Sequence, residues 1–541
     1  MFKKKNKFWF FIPFLISLLV LIPIIIIISS FFLNTSDYKA FLTKTYLFYY
    51  VSNSFILLTG VLFLTSLFGI GCAYFTTFYK FPGSSFFSWA LIMGFGIPGY
   101  IYAYSLNAFF SNYGLGYEIL NFFFYNINYN YNEIIPKVFG MKGGIISLSF
   151  SLYVYVYLIV KITFNYQSQN MIDSAKSLGF GPLKIFLKVL IPAARPAIIV
   201  GLSLVAMEVL SDFGTVSFFG INTFTMAIYD SWMTYDDLAT ANQFSFCLIV
   251  IIFLFFIIEN YSRKNSKFHI PSKGYKSINK TKLVGIKAIG ITSFCFIIFF
   301  CSFIFPVTQM IYWIIKFPKL FVLNEFIEVL FNTLFLVFLS TSILIFCSLV
   351  INYGIRKTNN KFLIFFTTLS LSGYAIPGII MAVTLLTFFS QLSQILESVF
   401  NLINIKSIFI GTTFALFLSY FIRFFSLAIN GVRSGYEKLN RSMDDSAAMI
   451  GFSKFKTFKN IHLYFLKNNL ILVGVLIAID IIKELPMTLI LRPYNFETFA
   501  TKSYYFASQD LIESSAIPSL SLIFITCFCI ILSRRFILKG I

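Results

Sequence analysis

Two pairs of carboxylates stand out in a chain that otherwise avoids charge. Glu208 and Asp212 are four residues apart, and so are Asp480 and Glu484. This spacing predicts that each pair shares one face of a helix. A carboxylate within an apolar span is costly and faces an interior or an aqueous cavity. Four of them could line or gate a path for a cation, and hard oxygen ligands suit a small hard ion such as Fe(III). A plainer use competes with this one. Asp212 and Glu484 lie near the ends of their helices, and Lys483, Arg423 and Arg492 are available as structural ion-pair partners.

Enzyme chemistry has little support. The two histidines, His269 and His462, sit in basic segments outside any metal or nucleophile constellation. The seven cysteines lie in apolar blocks at irregular spacing, which fits neither a disulfide framework nor a zinc site.

The elements that must position the acids are membrane spans. The chain has 541 residues, 58% hydrophobic, 20% aromatic and 12% charged, whereas a soluble domain carries about 25% charged residues. Residues 8–33 hold no charge and exceed the roughly 7–15 residues of a signal-peptide core, so they read as a retained first span. Twelve spans are expected near 8–33, 47–73, 86–110, 143–165, 196–220, 244–260, 286–312, 329–352, 362–391, 408–430, 470–491 and 516–533. The predicted fold class is all-α, with two tandem six-helix units.

With the N-terminus inside, inside segments hold 31 Lys and Arg and outside loops hold 9. That bias predicts both termini in the cytoplasm. It also accounts for the net charge of +21 without a nucleic-acid partner. The polar, basic stretch 261–285 reads as a linker between a first half, 1–260, and a second half, 286–541.

The halves repeat. Asn53-Ser54-Phe55 returns as Asn332-Thr333-Leu334, and Ile97-Pro98-Gly99 returns as Ile376-Pro377-Gly378 at the same offset. Asp173-Ser174-Ala175 with Gly179-Phe180 returns as Asp445-Ser446-Ala447 with Gly451-Phe452 at a slightly shorter offset, and the two acidic pairs share it. Six spans per half give both the same orientation, with a central pathway between them. The Pro-Gly pairs at 98–99 and 377–378 predict kinks or hinges in the third span of each half.

The inside loops 161–195 and 431–469 each carry a short small-residue helix. Asp173 and Asp445 are expected near its N-terminal end, where a carboxylate favours the helix dipole. Gly179 and Gly451 are expected to stop it in left-handed geometry. Small side chains at Ser174, Ala175, Ser446 and Ala447 would admit another protein, and Phe180 and Phe452 would anchor in its pocket.

These loops, with Ile191-Pro192 thirteen residues past Gly179, resemble the coupling loop of binding-protein-dependent ATP-binding cassette importer permeases. Aspartate replaces the family's usual glutamate in both copies, and Tyr464 stands where Pro192 has its counterpart. The stretches Ser211–Ser217 and Lys483–Leu489, with Thr223-Phe224-Thr225 and Leu491-Arg492-Pro493 beyond them, resemble ferric iron permeases with two fused halves. Thiamine, polyamine and phosphonate permeases are relatives. The resemblance implies a multi-pass protein of the bacterial inner membrane and two ATP-binding subunits on the loops. It also implies a periplasmic or lipid-anchored solute-binding protein outside. The chain lacks a G-x-x-x-x-G-K-[ST] loop, so ATP is used by the partner and no cofactor is expected here. Outside loops 221–243 and 492–515, with Asp230, Asp236, Asp237, Glu497, Asp510 and Glu513, could meet the binding protein. A secondary transporter would share the spans and the repeat without needing paired docking loops.

Overall fold

The computed structural model describes residues 2–30, 46–111, 114–124, 138–167, 169–265, 279–358, 360–400 and 411–539. Most of the linker, 266–278 with His269, lies outside them, as do Lys39, Lys44, Lys137 and Lys406.

A bilayer offers no water to backbone groups, so spanning segments must satisfy them internally, as helices do. Among the described residues eleven helices are long and apolar enough to cross a membrane, twelve if a bent pair counts as one span. Each of the twelve expected stretches overlaps one of these, although 362–391 meets its span only from Gly378 onward and residues 31–33 and 408–410 lie outside the described residues. The first half contains α1 (Phe2–Ser30), α2 (Leu47–Phe78), α3 (Ser84–Ala90), α4 (Gly99–Phe110), α5 (Gly140–Asn165), α6 (Gln169–Ser177), α7 (Ile191–Ser211), α8 (Gly214–Phe218), α9 (Phe224–Met233) and α10 (Leu238–Asn265). The second contains α11 (Ile286–Phe299), α12 (Phe305–Lys316), α13 (Leu323–Thr358), α14 (Lys361–Ser370), α15 (Gly378–Phe400), α16 (Thr413–Glu437), α17 (Ser442–Met449), α18 (Leu463–Lys483), α19 (Pro486–Leu491), α20 (Phe499–Ser508) and α21 (Ala516–Lys539).

Exposed phenylalanines such as Phe48, Phe63, Phe331 and Phe338 project from α2 and α13. Such rows would be a liability in water and suit a lipid-facing surface. Serine and threonine inside the spans return their hydroxyls to the preceding turn, as Thr65 does to Val61 O at 2.8 Å and Thr333 to Val329 O at 2.7 Å.

The halves exchange their first spans. Helix α1 packs on α13, α14 and α15 of the second half, and Ser370 Oγ donates to Ser17 O at 3.0 Å. Conversely, α11 and α12 pack on α3 and α4 of the first half. The linker's far end is held too: Thr281–Lys282 forms a two-residue parallel ladder with Tyr79–Lys80.

The third spans are broken rather than kinked. Residues Ser84–Gly96 and Gly99–Phe122 meet at 95°. Pro98 has no backbone donor, and where the chain turns the carbonyls of Gly96 and Ile97 accept from Thr526 Oγ1 at 2.8 Å and Ser151 Oγ at 2.7 Å. In the second half α14, a 3₁₀ turn at Leu371–Ala375 and α15 repeat the break at Ile376-Pro377-Gly378.

Candidate functional site

The fifth spans carry the acids, and here the expectation of one helix face fails. Helix α7 stops at Ser211 and α18 at Lys483. Asp212 and Glu484 are extended residues just beyond. The physical reason is capping. Asp212 Oδ2 accepts from Thr215 N at 3.0 Å and Val216 N at 3.2 Å, its Oδ1 accepts from Thr215 Oγ1 at 3.0 Å, and Glu484 Oε1 accepts from Met487 N at 3.3 Å. Each carboxylate therefore satisfies the orphan donors of the short helix that follows it, α8 or α19.

The four acids nevertheless converge. A cavity of about 130 Å³ between the halves is lined by Glu208, Asp212, Asp480 and Glu484, with Tyr100, Tyr155, Tyr374, Arg423 and Lys483. The breaks of the third spans form another wall. A Cβ on Gly99 would lie 2.8 Å from Thr215 Oγ1, and one on Gly378 would collide with Arg423 and Glu484. Glycine at these two positions lets the backbone approach the acids.

The second-half acids are paired. Glu484 meets Arg423 at 3.1 Å with both side chains buried, and Asp480 meets Lys483 at 3.8 Å. The first-half acids form no ion pair among the described residues: Glu208 accepts from Tyr374 Oη at 3.4 Å, and Asp212 is held by its own cap. Arg492, the third expected partner, instead binds Glu497. Among the described residues no three carboxylate, imidazole or thiolate groups form a ready metal-holding cluster.

Tyr374 and Phe95 are not singled out by the sequence reading, although a signal exists. They occupy matching positions in the two halves, two before each Ile-Pro-Gly. Each reaches the opposite half: Tyr374 touches Glu208, and the Phe95 carbonyl accepts from Lys483 Nζ at 3.2 Å.

The paired loops stand at the other end of the fifth spans. Helix α7 has 21 residues, so about 31 Å separates cavity from loop at 1.5 Å per residue. Gly179 and Gly451 adopt φ +77° and +79°. Phe180 N donates to Ala175 O at 3.1 Å and Phe452 N to Ala447 O at 2.9 Å. Both turns thus close with the same six-residue hydrogen bond, a Schellman stop.

Other loop residues differ from expectation. Asp173 lies in the middle of α6, where Gln169 Nε2 donates to it at 2.8 Å, rather than at its start. Asp445 does fall in the first turn of α17. Ala175 and Ala447 are buried against the chain itself, which leaves Ser174 and Ser446 exposed. Phe180 and Phe452 fold back under Lys184 and Lys456, at 4.3 and 4.5 Å. Open apolar side chains at matching positions of the two turns are Leu178 and Ile450, each 74% exposed, with Met449, Leu183 and Phe455 also open beside them. The signal for the matching pair is an apolar residue immediately before each stop glycine. Tyr464 does not alter the path of the chain, because both copies pass through a five-residue π turn, Phe186–Leu190 or Phe458–His462, into the long helix.

The second loop has a polar tether that the sequence does not announce. Asp444 is gripped by Arg356 Nε at 2.8 Å and by buried His462 Nε2 at 2.7 Å. Partial burial pushes the Asp444 carboxyl up, but hydrogen bonds from His462 and Arg356 outweigh it and hold the group below its ordinary value. A depressed carboxylate contributes stability above its unfolded pKa of about 4 and loses it as pH falls through the lower folded value. The tether is therefore complete at neutral pH. Asp444→Asn will raise hydrogen exchange of the α17 amides roughly ten-fold, about 1.4 kcal/mol, a low value for charged hydrogen bonds because the carboxylate is partly exposed. Exchange as slow as in the parent would show that the tether does not hold the loop.

Comparison with known proteins agrees with this arrangement. Residues 65–266 match the family model of the binding-protein-dependent transport system inner membrane component. The Fe(3+)-transport system permease protein FbpB 2 of Haemophilus influenzae is 23% identical over 499 residues, covering 90% of each chain. A probable sulfate transport system permease protein cysT of Helicosporidium sp. subsp. Simulium jonesii is 28% identical over 191 residues, 35% of this chain and 67% of its own. A putative 2-aminoethylphosphonate transport system permease protein, PhnU of Salmonella typhimurium, is 32% identical over 87 residues, 16% of this chain and 29% of its own. The matched region takes in the first loop, the broken third span and the first acidic pair, and the FbpB 2 similarity runs through both halves. Residues 65–266 thus carry the inner membrane component of a binding-protein-dependent transport system, and the chain as a whole is similar to a ferric iron transport permease.

Proposed function

We propose that this permease carries ferric iron from a solute-binding protein into the cytoplasm, driven by separate ATP-hydrolysing subunits. The observation that carries the substrate is similarity across 90% of both chains to a permease named for Fe(3+) transport. The cavity supports it: four carboxylates face two cationic side chains, an excess of negative charge that favours a metal cation and repels a free sulfate or phosphonate. ATP hydrolysis stimulated by iron-loaded binding protein, and not by sulfate, tests the substrate. Stimulation by sulfate alone would reject iron.

In this reading the loops at 161–195 and 431–469 face the cytoplasm, as do both termini, and no cofactor resides in the chain. Asp173, Ser174, Ala175, Gly179 and Phe180 build one docking turn, and Asp445, Ser446, Ala447, Gly451 and Phe452 build the other. Each turn presents its exposed apolar residue, Leu178 or Ile450, to an ATP-binding subunit. The cycle is alternating access: ATP closes the subunits, the loops move with them, and the long fifth spans relay that motion to the acids.

Leu178→Asp with Ile450→Asp will lower the yield of permease–ATPase complex about ten-fold, because a hot-spot apolar contact contributes about 1 kcal/mol or more. Co-purification measures this. Undiminished complex would remove these residues from the interface.

A further inference from the structure

The two halves are related by repeat, but their acid sites are not equivalent. At the offset that relates the two acidic pairs, Lys483 corresponds to Ser211 and Arg423 to Ser151. The first half therefore has serines where the second has cations. The two cations also differ in how they are held. Arg423 is 8% exposed and locked on Glu484 by contacts of 3.1 and 3.2 Å. Its Nε has no hydrogen-bond partner among the described residues, which leaves a buried donor in the cavity wall for an oxygen. Lys483 is looser: its ammonium is 3.8 Å from Asp480, donates to Phe95 O and lies 3.7 Å from the centre of the Phe95 ring. A lysine is a compact charge on a flexible stem.

We propose that Lys483 is a built-in competitor for the transported cation, seated on Asp480 so that the path holds its ion loosely and releases it. The proposal rests on the cation-permease reading above. A passage must bind an ion well enough to admit it and weakly enough to let it leave. Four carboxylates without counter-charge would retain a trivalent ion. Lys483 neutralises part of that charge, and because it bridges to Phe95 at the broken span of the other half, its position depends on how far the halves are apart. When they separate it loses the Phe95 carbonyl and ring, and the balance between lysine and ion on Asp480 shifts. Arg423, fixed on Glu484, sets a constant background. Glu208 and Asp212 are the acids left to meet the ion first.

The test uses the full chain assembled with its ATP-binding subunits in nanodiscs of zwitterionic lipid, titrated with terbium(III) as a hard trivalent probe. Tyr100, Tyr155 and Tyr374 line the cavity and sensitise terbium emission there. Removing a positive charge about 4 Å from the ion predicts that Lys483→Gln binds terbium about ten-fold tighter than the parent. Lys483→Arg, which keeps the charge, will stay within about three-fold of it. Lys483→Met substitutes for the glutamine variant if that one does not assemble. A neutral variant that binds no tighter, or an arginine variant that tightens equally, overturns the proposal. The same preparations, in liposomes, are assayed for iron uptake. Tightening by the neutral variant without iron uptake by the parent upholds the role of Lys483 and rejects iron. Iron uptake by the parent without tightening rejects the role of Lys483 and leaves iron standing.

Discussion

Arg423→Leu will destabilise the folded permease by about 3–5 kcal/mol, because removing one partner of a buried ion pair strands the other. Glu484 is 7% exposed; beside Arg423, its carboxylate accepts from the Met487 amide, and its backbone carbonyl accepts from Thr488 Oγ1. Without the guanidinium the carboxylate keeps one amide donor in a cavity that it shares with three other carboxylates. Gly378 leaves no side chain to fill the vacated space, and Pro486 lies beside it. Arg423→Lys will recover part of the loss, since charge returns without the planar fork. Thermal or denaturant unfolding of the detergent-solubilised protein measures both. A leucine variant as stable as the parent would mean that Glu484 is already neutral or hydrated, and that the pair does not hold α16 to the end of α18.

The second large effect is on transport. Glu208→Gln with Asp212→Asn will reduce iron uptake about ten-fold or more at limiting iron-loaded binding protein, because two charges that attract a trivalent ion are gone. Among the described residues these acids lack the cationic partners of Asp480 and Glu484, so their replacement strands no counter-charge. Asparagine retains one oxygen to cap Thr215 and Val216, so the turn after α7 keeps its shape. Uptake equal to the parent would move the path away from these residues and make the first-half acids structural.

Much of this architecture is legible in the sequence because hydropathy and small residues act locally. The twelve apolar stretches carry their own signal, and Gly179 and Gly451 stop the loop helices in the conformation that glycine favours. What is not legible depends on contacts across the chain. Four-residue spacing suggests that Glu208 and Asp212 share a helix face. The helix ends at Ser211 because the Asp212 carboxylate serves the next turn. Pro98-Gly99 reads as a kink or hinge; the chain instead breaks there, and Thr526 and Ser151, from distant helices, satisfy the carbonyls of Gly96 and Ile97. The exchange of first spans leaves no periodic mark, since α1 is apolar all round and any neighbour would cover it. The partners Arg423 and Lys483 could be named but not assigned, because pairing depends on which span ends meet.

Passage of ferric iron across a membrane under ATP control can be measured directly. Its most direct test is uptake of radiolabelled Fe(III) into proteoliposomes holding the chain and its ATP-binding subunits, with iron-loaded binding protein outside and ATP inside. Iron will accumulate, and only when both ATP and the binding protein are present. ATP hydrolysis stimulated by the binding protein, with no iron entering, would contradict it.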